Sequence, residues 1–443
     1  MSSGKKIITV IGAGLAGSEA AWQSAKRGCR VRLYEMRPAK KTPAHEGGGC
    51  AELVCSNSLR SDAPGSAIGL LKNELRRLAS LIMEAADATK VPAGGALAVD
   101  REKFSAHITA KIEAEPLIEV VREEVTTIPA PDIGPVIIAT GPLTSDTLAA
   151  ELGRITGEDN LSFYDAIAPI VAADSLDYNK VYQASRYDDG PGDYLNCPMD
   201  RDEYENFITA LAEADRLRPR DFEEAKYFEG CLPIEVMLER GDDTPRFGPM
   251  KPVGLPDPQT GRDPYAVAQL RSENLDRTAY NLVGFQTRIT YTEQDKVFRL
   301  IPGLEEAEFL RFGSIHRNTF VNAPRVLAPG LELTKRPGVS LAGQVSGVEG
   351  YIESTAMGLL AGIFAARKIN DAPIPRVPRA TALGGLLAHL YESEAKRFQP
   401  SNINFGLFPP LTERLPKKLR GPRRAEIARE KLEEWLNAED ILV

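Results

Sequence analysis

The apolar run Lys6-Ile7-Ile8-Thr9-Val10-Ile11 ends directly in Gly12-Ala13-Gly14-Leu15-Ala16-Gly17. A β-branched strand that feeds Gly-x-Gly-x-x-Gly, with a helical pattern from Ser18 to Lys26 behind it, leaves few folds open. Gly12 suits the tight strand-to-helix turn and Gly14 lets a pyrophosphate approach the backbone. Gly17 lets the helix pack closely on the strand. The whole turn, Ala13, Leu15 and Ala16 included, is the expected binding stretch, because a helix N-terminus offers its N–H groups to phosphate. Gly28 closes the helix, and Val31-Arg32-Leu33-Tyr34-Glu35 supplies a second strand. Glu35 follows the glycines by about 20 residues, where a carboxylate can hold an adenosine ribose. The motif predicts a bound dinucleotide and leaves FAD and NAD both open.

Later segments complete the same fold. Pro135-Val136-Ile137-Ile138-Ala139-Thr140-Gly141-Pro142 reads as a buried strand whose end, Thr140-Gly141, leaves room beside a cofactor; together with the N-terminal motif it favours FAD. Val339-Ser340-Leu341-Ala342-Gly343-Gln344 reads as the last strand, and the small-residue helix after it, Ile352 to Gly362, carries Tyr351 at its entrance. A helix N-terminus there suits an anionic reduced flavin. Gln344 stands where many flavoproteins carry Asp. Between these strands, Tyr265 to Leu270 and Tyr280 to Phe285 alternate as strands do, among aromatics and prolines. The expected architecture is therefore α/β: a Rossmann-like FAD-binding domain in two parts, 1–168 and 326–443, with an inserted α+β domain at 169–325. Leu70, Leu71, Leu75, Leu78, Leu81 and Ile82 predict one long helix, and Arg423 to Leu436 a final amphipathic one.

Composition narrows the class. The 443 residues carry a net charge of −8, so a nucleic-acid site has to be a local basic patch such as Lys417-Lys418-Leu419-Arg420-Gly421-Pro422-Arg423-Arg424. The N-terminus runs straight into the first strand, and no apolar run reaches membrane-span length, which predicts a cytoplasmic protein with no membrane partner. No metal site is expected.

Five cysteines, Cys29, Cys50, Cys55, Cys197 and Cys231, are scattered as no secreted disulfide framework would be. Cys50 and Cys55 have the spacing of a flavin disulfide-reductase pair, yet the second glycine loop such enzymes need is missing. Cys29 and Cys197 read as small core hydrophobes. Cys55, followed by Ser56-Asn57-Ser58, and Cys231, between Glu229 and Glu235, are each open to a nucleophilic or a structural reading.

Several segments match a known family. They include residues 10–22, Glu35-Met36-Arg37-Pro38, Cys55-Ser56-Asn57-Ser58-Leu59, Val91 to Arg101, Asp193 to Met199, Gly248 to Leu255, His316-Arg317-Asn318-Thr319 and Gly347 to Ser354. With these the chain resembles the folate- and FAD-dependent tRNA (uracil-5-)-methyltransferases over nearly its whole length. The resemblance implies catalytic cysteines at Cys55 and Cys231. It also implies FAD, methylenetetrahydrofolate and NADH or NADPH as cofactors, and the T-loop uridine of tRNA as substrate. Tyr351 reads either as an aromatic that stacks on pterin or base or as an ordinary core tyrosine, and His316 and Arg317 either as cations for folate carboxylates or tRNA phosphate or as a solvated turn. Three alternatives stand beside it: another flavin-dependent tRNA uridine-modifying enzyme, a flavin disulfide reductase, and a binding protein that keeps the fold without redox chemistry.

Overall fold

The strand Ile7–Ile11 lies between two parallel neighbours, Arg30–Tyr34 on one side and Val136–Ile138 on the other. This computed structural model describes residues 6–42, 44–157, 161–187, 190, 192–217 and 232–441, with backbone alone at 161–166 and 315–317. Ile118–Val121 extends the parallel set beyond Arg30–Tyr34, and Arg336–Leu341 pairs with Val136–Ile138 from the far end of the chain. Two short antiparallel strands, Leu327–Ala328 and Glu332–Leu333, finish a seven-stranded sheet. Its β-branched strand interiors are sealed from water, with Ile8, Val10 and Ile137 each fully buried, as a parallel sheet covered on both faces requires.

The first helix, Leu15–Lys26, packs on the helix Tyr351–Ile369, and close approach explains the small residues of the latter. A Cβ at Gly358 would lie 2.1 Å from the Ala16 carbonyl oxygen, and one at Gly362 would lie 2.5 Å from that of Ala20. The leucine stripe expected as one helix is two, Ala67–Arg77 and Leu81–Ala88. Ala79 turns left-handed (φ 53°) between them, and Ser80 caps the second by accepting from Met83 N at 3.2 Å. Ser80 also donates to the buried Glu19, which fixes the break. The last helix is longer than expected, Lys417–Ala438, with Pro422 inside its second turn.

A second, wholly antiparallel sheet orders Tyr182–Ala184, Tyr194–Met199, Ala266–Ser272, Ala279–Leu282, Ile170–Ala172 and Phe309–Arg311. The chain passes between the sheets along Leu161–Ile167 and returns along Ser314–Phe320, and these two strands pair with each other. Along Ala266–Ser272 the side chains alternate: Ala266, Ala268 and Leu270 enter an apolar core with Phe207, Phe285 and Phe298. Gln269 and Arg271 point the other way and are also buried, so the sheet hides a polar face. Among the described residues no helix is long and apolar enough to cross a membrane.

Candidate active site

The glycine turn is built as a wall. Gly12 takes φ +98° and its N–H donates to Tyr34 O at 2.8 Å, tying the turn to the second strand. A Cβ at Gly17 would fall 1.7 Å from Gly12 O, so only glycine lets the helix start there. A Cβ at Gly14 would meet nothing within 4 Å, because Gly14 faces open space. Ala13 N–H donates to Glu35 Oε2 at 2.9 Å. Arg37 completes the clasp: its backbone N–H and Nε donate to Glu35 Oε1 at 3.0 and 2.9 Å, and Nη2 donates to Oε2 at 3.2 Å. Burial alone would push the Glu35 carboxyl up; the Arg37 guanidinium outweighs it and holds the group below the usual carboxylate range. Arg37, itself buried, also reaches Glu52 at 2.8 Å.

That wall closes one side of a cavity of about 400 Å³. Gly12, Gly14, Leu15, Ala16 and Glu35 line it from the N-terminal unit. Thr140 and Gly141 line it from the end of the third parallel strand, and Gly343 and Tyr351 from the end of the last one. Ala13 and Gly17 are not lining residues; one bonds Glu35 and the other packs beneath Gly12. Gln344 lines the cavity and donates to Glu349 Oε2 at 2.6 Å, so the acid missing after Gly343 stands five residues later, on the same cavity. His45 lines it too, pushed down to about 4 by burial and by Arg37.

The loop that carries Cys55 lines the same cavity. Cys55 and Ser56 donate their backbone N–H groups to Tyr351 Oη at 2.7 and 3.3 Å, which places Tyr351 under the loop. Arg101 Nη1 holds Leu53 O and pairs with Glu273 at 2.8 Å. From the second sheet, Arg271 donates to Ser56 Oγ at 2.7 Å and to Asn57 Oδ1 at 2.9 Å. Asn57 Nδ2 in turn donates to Val99 O at 3.0 Å and Ser272 O at 2.9 Å. Two guanidiniums, Arg101 and Arg271, therefore bring positive charge to a half-buried thiol. Cys50 is fully buried, its thiol pushed up by burial, and lines no part of the cavity. Cys29 and Cys197 are buried in the two cores with thiols pushed up in the same way. No disulfide links the described cysteines, which leaves the redox-pair reading without support.

Cys231 lies outside the described residues; Ile234 N, three residues on, donates to the backbone oxygen of Gln286, a cavity-lining residue, at 2.8 Å. His316 and Arg317 take neighbouring register positions opposite Asp165 and Tyr164, and their side chains are outside what is described. Sequence reading missed Arg101, Arg271 and Glu349. The available signal was the alternation of Gln269 and Arg271 with alanine and leucine, which ordinarily marks a solvated face.

The family described as glucose inhibited division protein A matches residues 7–373. The methylenetetrahydrofolate–tRNA-(uracil-5-)-methyltransferase TrmFO of Desulfotalea psychrophila is 60% identical over 435 residues, 98% of each chain. The protein of the same name from Geobacter sulfurreducens is 60% identical over 432 residues, 97% of this chain and 98% of that one. Among solved structures, GidA of Aquifex aeolicus superposes with a TM-score of 0.68 at 17% identity, over 98% of this chain and 77% of that one, which shows a shared fold. On these grounds the chain belongs to the glucose inhibited division protein A family and, within it, to the TrmFO family.

Proposed function

We propose that this protein methylates carbon 5 of the T-loop uridine in tRNA. The carbon comes from methylenetetrahydrofolate, reduced FAD is carrier and reductant, and NADH or NADPH renews the reduced flavin. The observation that carries the reading is Cys55, a thiol on the wall of the dinucleotide cavity in a chain 60% identical to a relative named for this reaction. The cavity suits FAD: the open space over Gly14 is a cradle that any side chain would fill. The backbone of Gly12, Gly14, Leu15 and Ala16, which lines the cavity, would then hold the pyrophosphate, and Glu35, clasped by Ala13 and Arg37 at the cavity wall, would stand beside the ribose. Thr140, Gly141, Gly343 and Tyr351, which line the rest of the cavity, would flank the ring system. When bound, the flavin supplies carriage of the one-carbon unit and the final hydride.

Uracil carbon 5 is a poor nucleophile until a thiolate adds at carbon 6. Cys231 takes that role: its sulfur bonds carbon 6, and the double-bond electrons move onto carbon 5 and the carbonyl at carbon 4 as an enolate. Carbon 5 then bonds the donated carbon. Cys55 removes the carbon 5 proton, and those electrons expel the carrier nitrogen to leave an exocyclic methylene. Hydride addition to that methylene makes the methyl group and re-forms the enolate, which expels the Cys231 sulfur and restores the ring double bond. The bulk cytoplasm is where such an enzyme meets its tRNA.

Mass spectrometry of a T-loop transcript incubated with enzyme, methylenetetrahydrofolate and NAD(P)H tests the reading. Methylation should fall by several orders of magnitude in Cys55→Ala and Cys231→Ala, with FAD and oxygen-coupled NAD(P)H oxidation retained. A 5-fluorouridine transcript should form a covalent adduct with Cys55→Ala and none with Cys231→Ala. Near-normal methylation in both variants would return the cysteines to structural roles.

The tRNA grip is proposed for the basic run. Lys417 and Lys418 are exposed in the first turn of Lys417–Ala438, where a cation opposes the helix dipole, so helix stability does not account for them. Arg423 is already shared between Glu413 and Glu426 at 2.8 and 2.6 Å. Reversing Lys417 and Lys418 should lower the salt slope of tRNA binding by about one for each phosphate that is no longer neutralised. An unchanged slope moves the search to the inserted sheet.

A further inference from the structure

Cys55 and Ser56 line a second, smaller cavity on the side facing the antiparallel sheet. It measures about 70 Å³, room for about two waters and hence for the leading edge of one ring rather than a fused pair. Its floor is the polar face of that sheet. Arg271 and Asn281 are directly opposed in the antiparallel register, so their side chains rise from the same face into the same small space. Asn281 is 3% exposed, and its Nδ2 is buried with no hydrogen-bond partner among the described residues. An amide donor left unsatisfied in this way is destabilising, and a ligand acceptor would recover that loss. Cys55, Ser56 and Gln286 line both cavities, so the two adjoin.

We infer that this pocket receives the imide edge of the target pyrimidine and that Asn281 is its reader, an inference that rests on the methyltransfer reading above. A uracil edge presents carbonyl oxygen, N–H and carbonyl oxygen in sequence. Asn281 Oδ1 accepts from N3–H while Nδ2 donates to the carbonyl at carbon 4, a paired contact. An amide alone would serve cytosine equally well by turning over. The Arg271 guanidinium beside it has no acceptor, so it favours a carbonyl and repels the amino group that cytosine carries at carbon 4. The same arginine holds Ser56 and Asn57, so base edge and Cys55 loop are set by one side chain. Asn281 is a specificity residue in this scheme; it moves no proton.

The test uses FAD-loaded enzyme and T-arm RNA hairpins with uridine, cytidine or an abasic ribose at the target position, without folate. Native enzyme should bind the uridine hairpin about tenfold more tightly than the other two. In Asn281→Leu that advantage should vanish, with affinity for the abasic hairpin changed by less than about twofold because phosphate contacts dominate it. Flavin absorbance and the thermal midpoint report folding, and Asn281→Ser, which keeps a small hydroxyl, should show an intermediate preference if the leucine variant does not fold. A uridine preference that survives in Asn281→Leu, or an equal loss for all three hairpins, overturns the assignment. Loss of methylenetetrahydrofolate affinity with the uridine preference intact also overturns it and gives the pocket to the pterin. Native enzyme that leaves the uridine hairpin unmethylated under full conditions sinks the methyltransfer reading itself, whereas methylation with an unmoved Asn281→Leu preference sinks the pocket alone.

Discussion

The two walls of the cavity are made in opposite ways. The glycine-turn wall is local: Gly12, Ala13, Gly14, Glu35 and Arg37 come from one strand–helix–strand stretch, and they bond one another, Tyr34 and the nearby Glu52. The Cys55 wall is assembled from afar. Its loop is pinned by Tyr351 from a helix near the C-terminus, by Arg101 from a neighbouring helix and by Arg271 from the second sheet. A local wall can be written as a motif because backbone geometry dictates its residues. The distant wall exists only once both sheets are folded and docked, so its residues carry no spacing. The glycine wall is specified by short-range sterics; the Cys55 wall depends on long-range polar contacts.

The largest expected effect separates two glycines of the local wall that sequence alone treats alike. Gly17→Ala places a methyl 1.7 Å from a backbone oxygen and should cost more than about 4 kcal/mol, seen as insoluble protein or a collapsed thermal midpoint. Gly14→Ala adds a methyl to open space. It should fold with an unchanged apoprotein midpoint and lose its yellow colour, because the methyl occupies the pyrophosphate's approach. A Gly14→Ala protein with full FAD occupancy would show that this wall does not hold the dinucleotide.

A smaller effect tests the distant wall. Arg271→Met keeps most of the side-chain volume and removes the donors to Ser56 and Asn57. FAD content should stay at the native level while methyl transfer drops by about 10- to 100-fold, since a displacement of the Cys55 loop by about 1 Å is worth that much. Loss of FAD together with activity would mean the two walls are one cooperative unit, and the contrast between them would dissolve.

The same contrast explains what was legible. The parallel strands, the first helix and the lining role of Thr140, Gly141 and Gly343 followed from apolar runs that stop at glycine. Arg271 did not, because a strand reading Ala-Val-Ala-Gln-Leu-Arg-Ser shows one apolar and one polar face, and the polar face of an antiparallel sheet usually meets water. Here it meets the Ser56–Asn57 loop. The leucine stripe from Leu70 to Ile82 misled for a related reason: Glu19, remote in sequence, accepts from Ser80 Oγ and Ile82 N at 2.7 and 3.0 Å and stabilises a break that local periodicity does not contain. Glu349 was hidden by its distance from the strand end, although the missing acid at Gln344 was itself a hint.

The smallest effect concerns acid stability of the local wall. His45 sits beside Arg37 with its ring held toward Thr42, Oγ1 to Nδ1 2.6 Å, and burial with the Arg37 charge pushes it down to about 4 from an ordinary 6.5. Between those values the unfolded chain takes up a proton that the folded chain refuses. The stabilising contribution is therefore whole above pH 6.5, declines as pH falls and is gone below about pH 4. One proton limits the slope to about 1.4 kcal/mol per pH unit, and partial solvent contact keeps the observed slope under that limit. Glu35, held low by Arg37, loses its own contribution only as pH falls below the ordinary carboxylate range, so the two windows separate. In His45→Asn the amide oxygen replaces Nδ1 toward Thr42 and the titration disappears. Urea midpoints of the native protein should fall more steeply between pH 6.5 and 4.5 than those of the variant, whose remaining slope there comes from groups such as the half-buried His389, with both falling further down. Parallel curves over that window would mean that His45 is solvated and that the clasp of Glu35, Arg37 and Glu52 is the whole of the local wall's acid sensitivity.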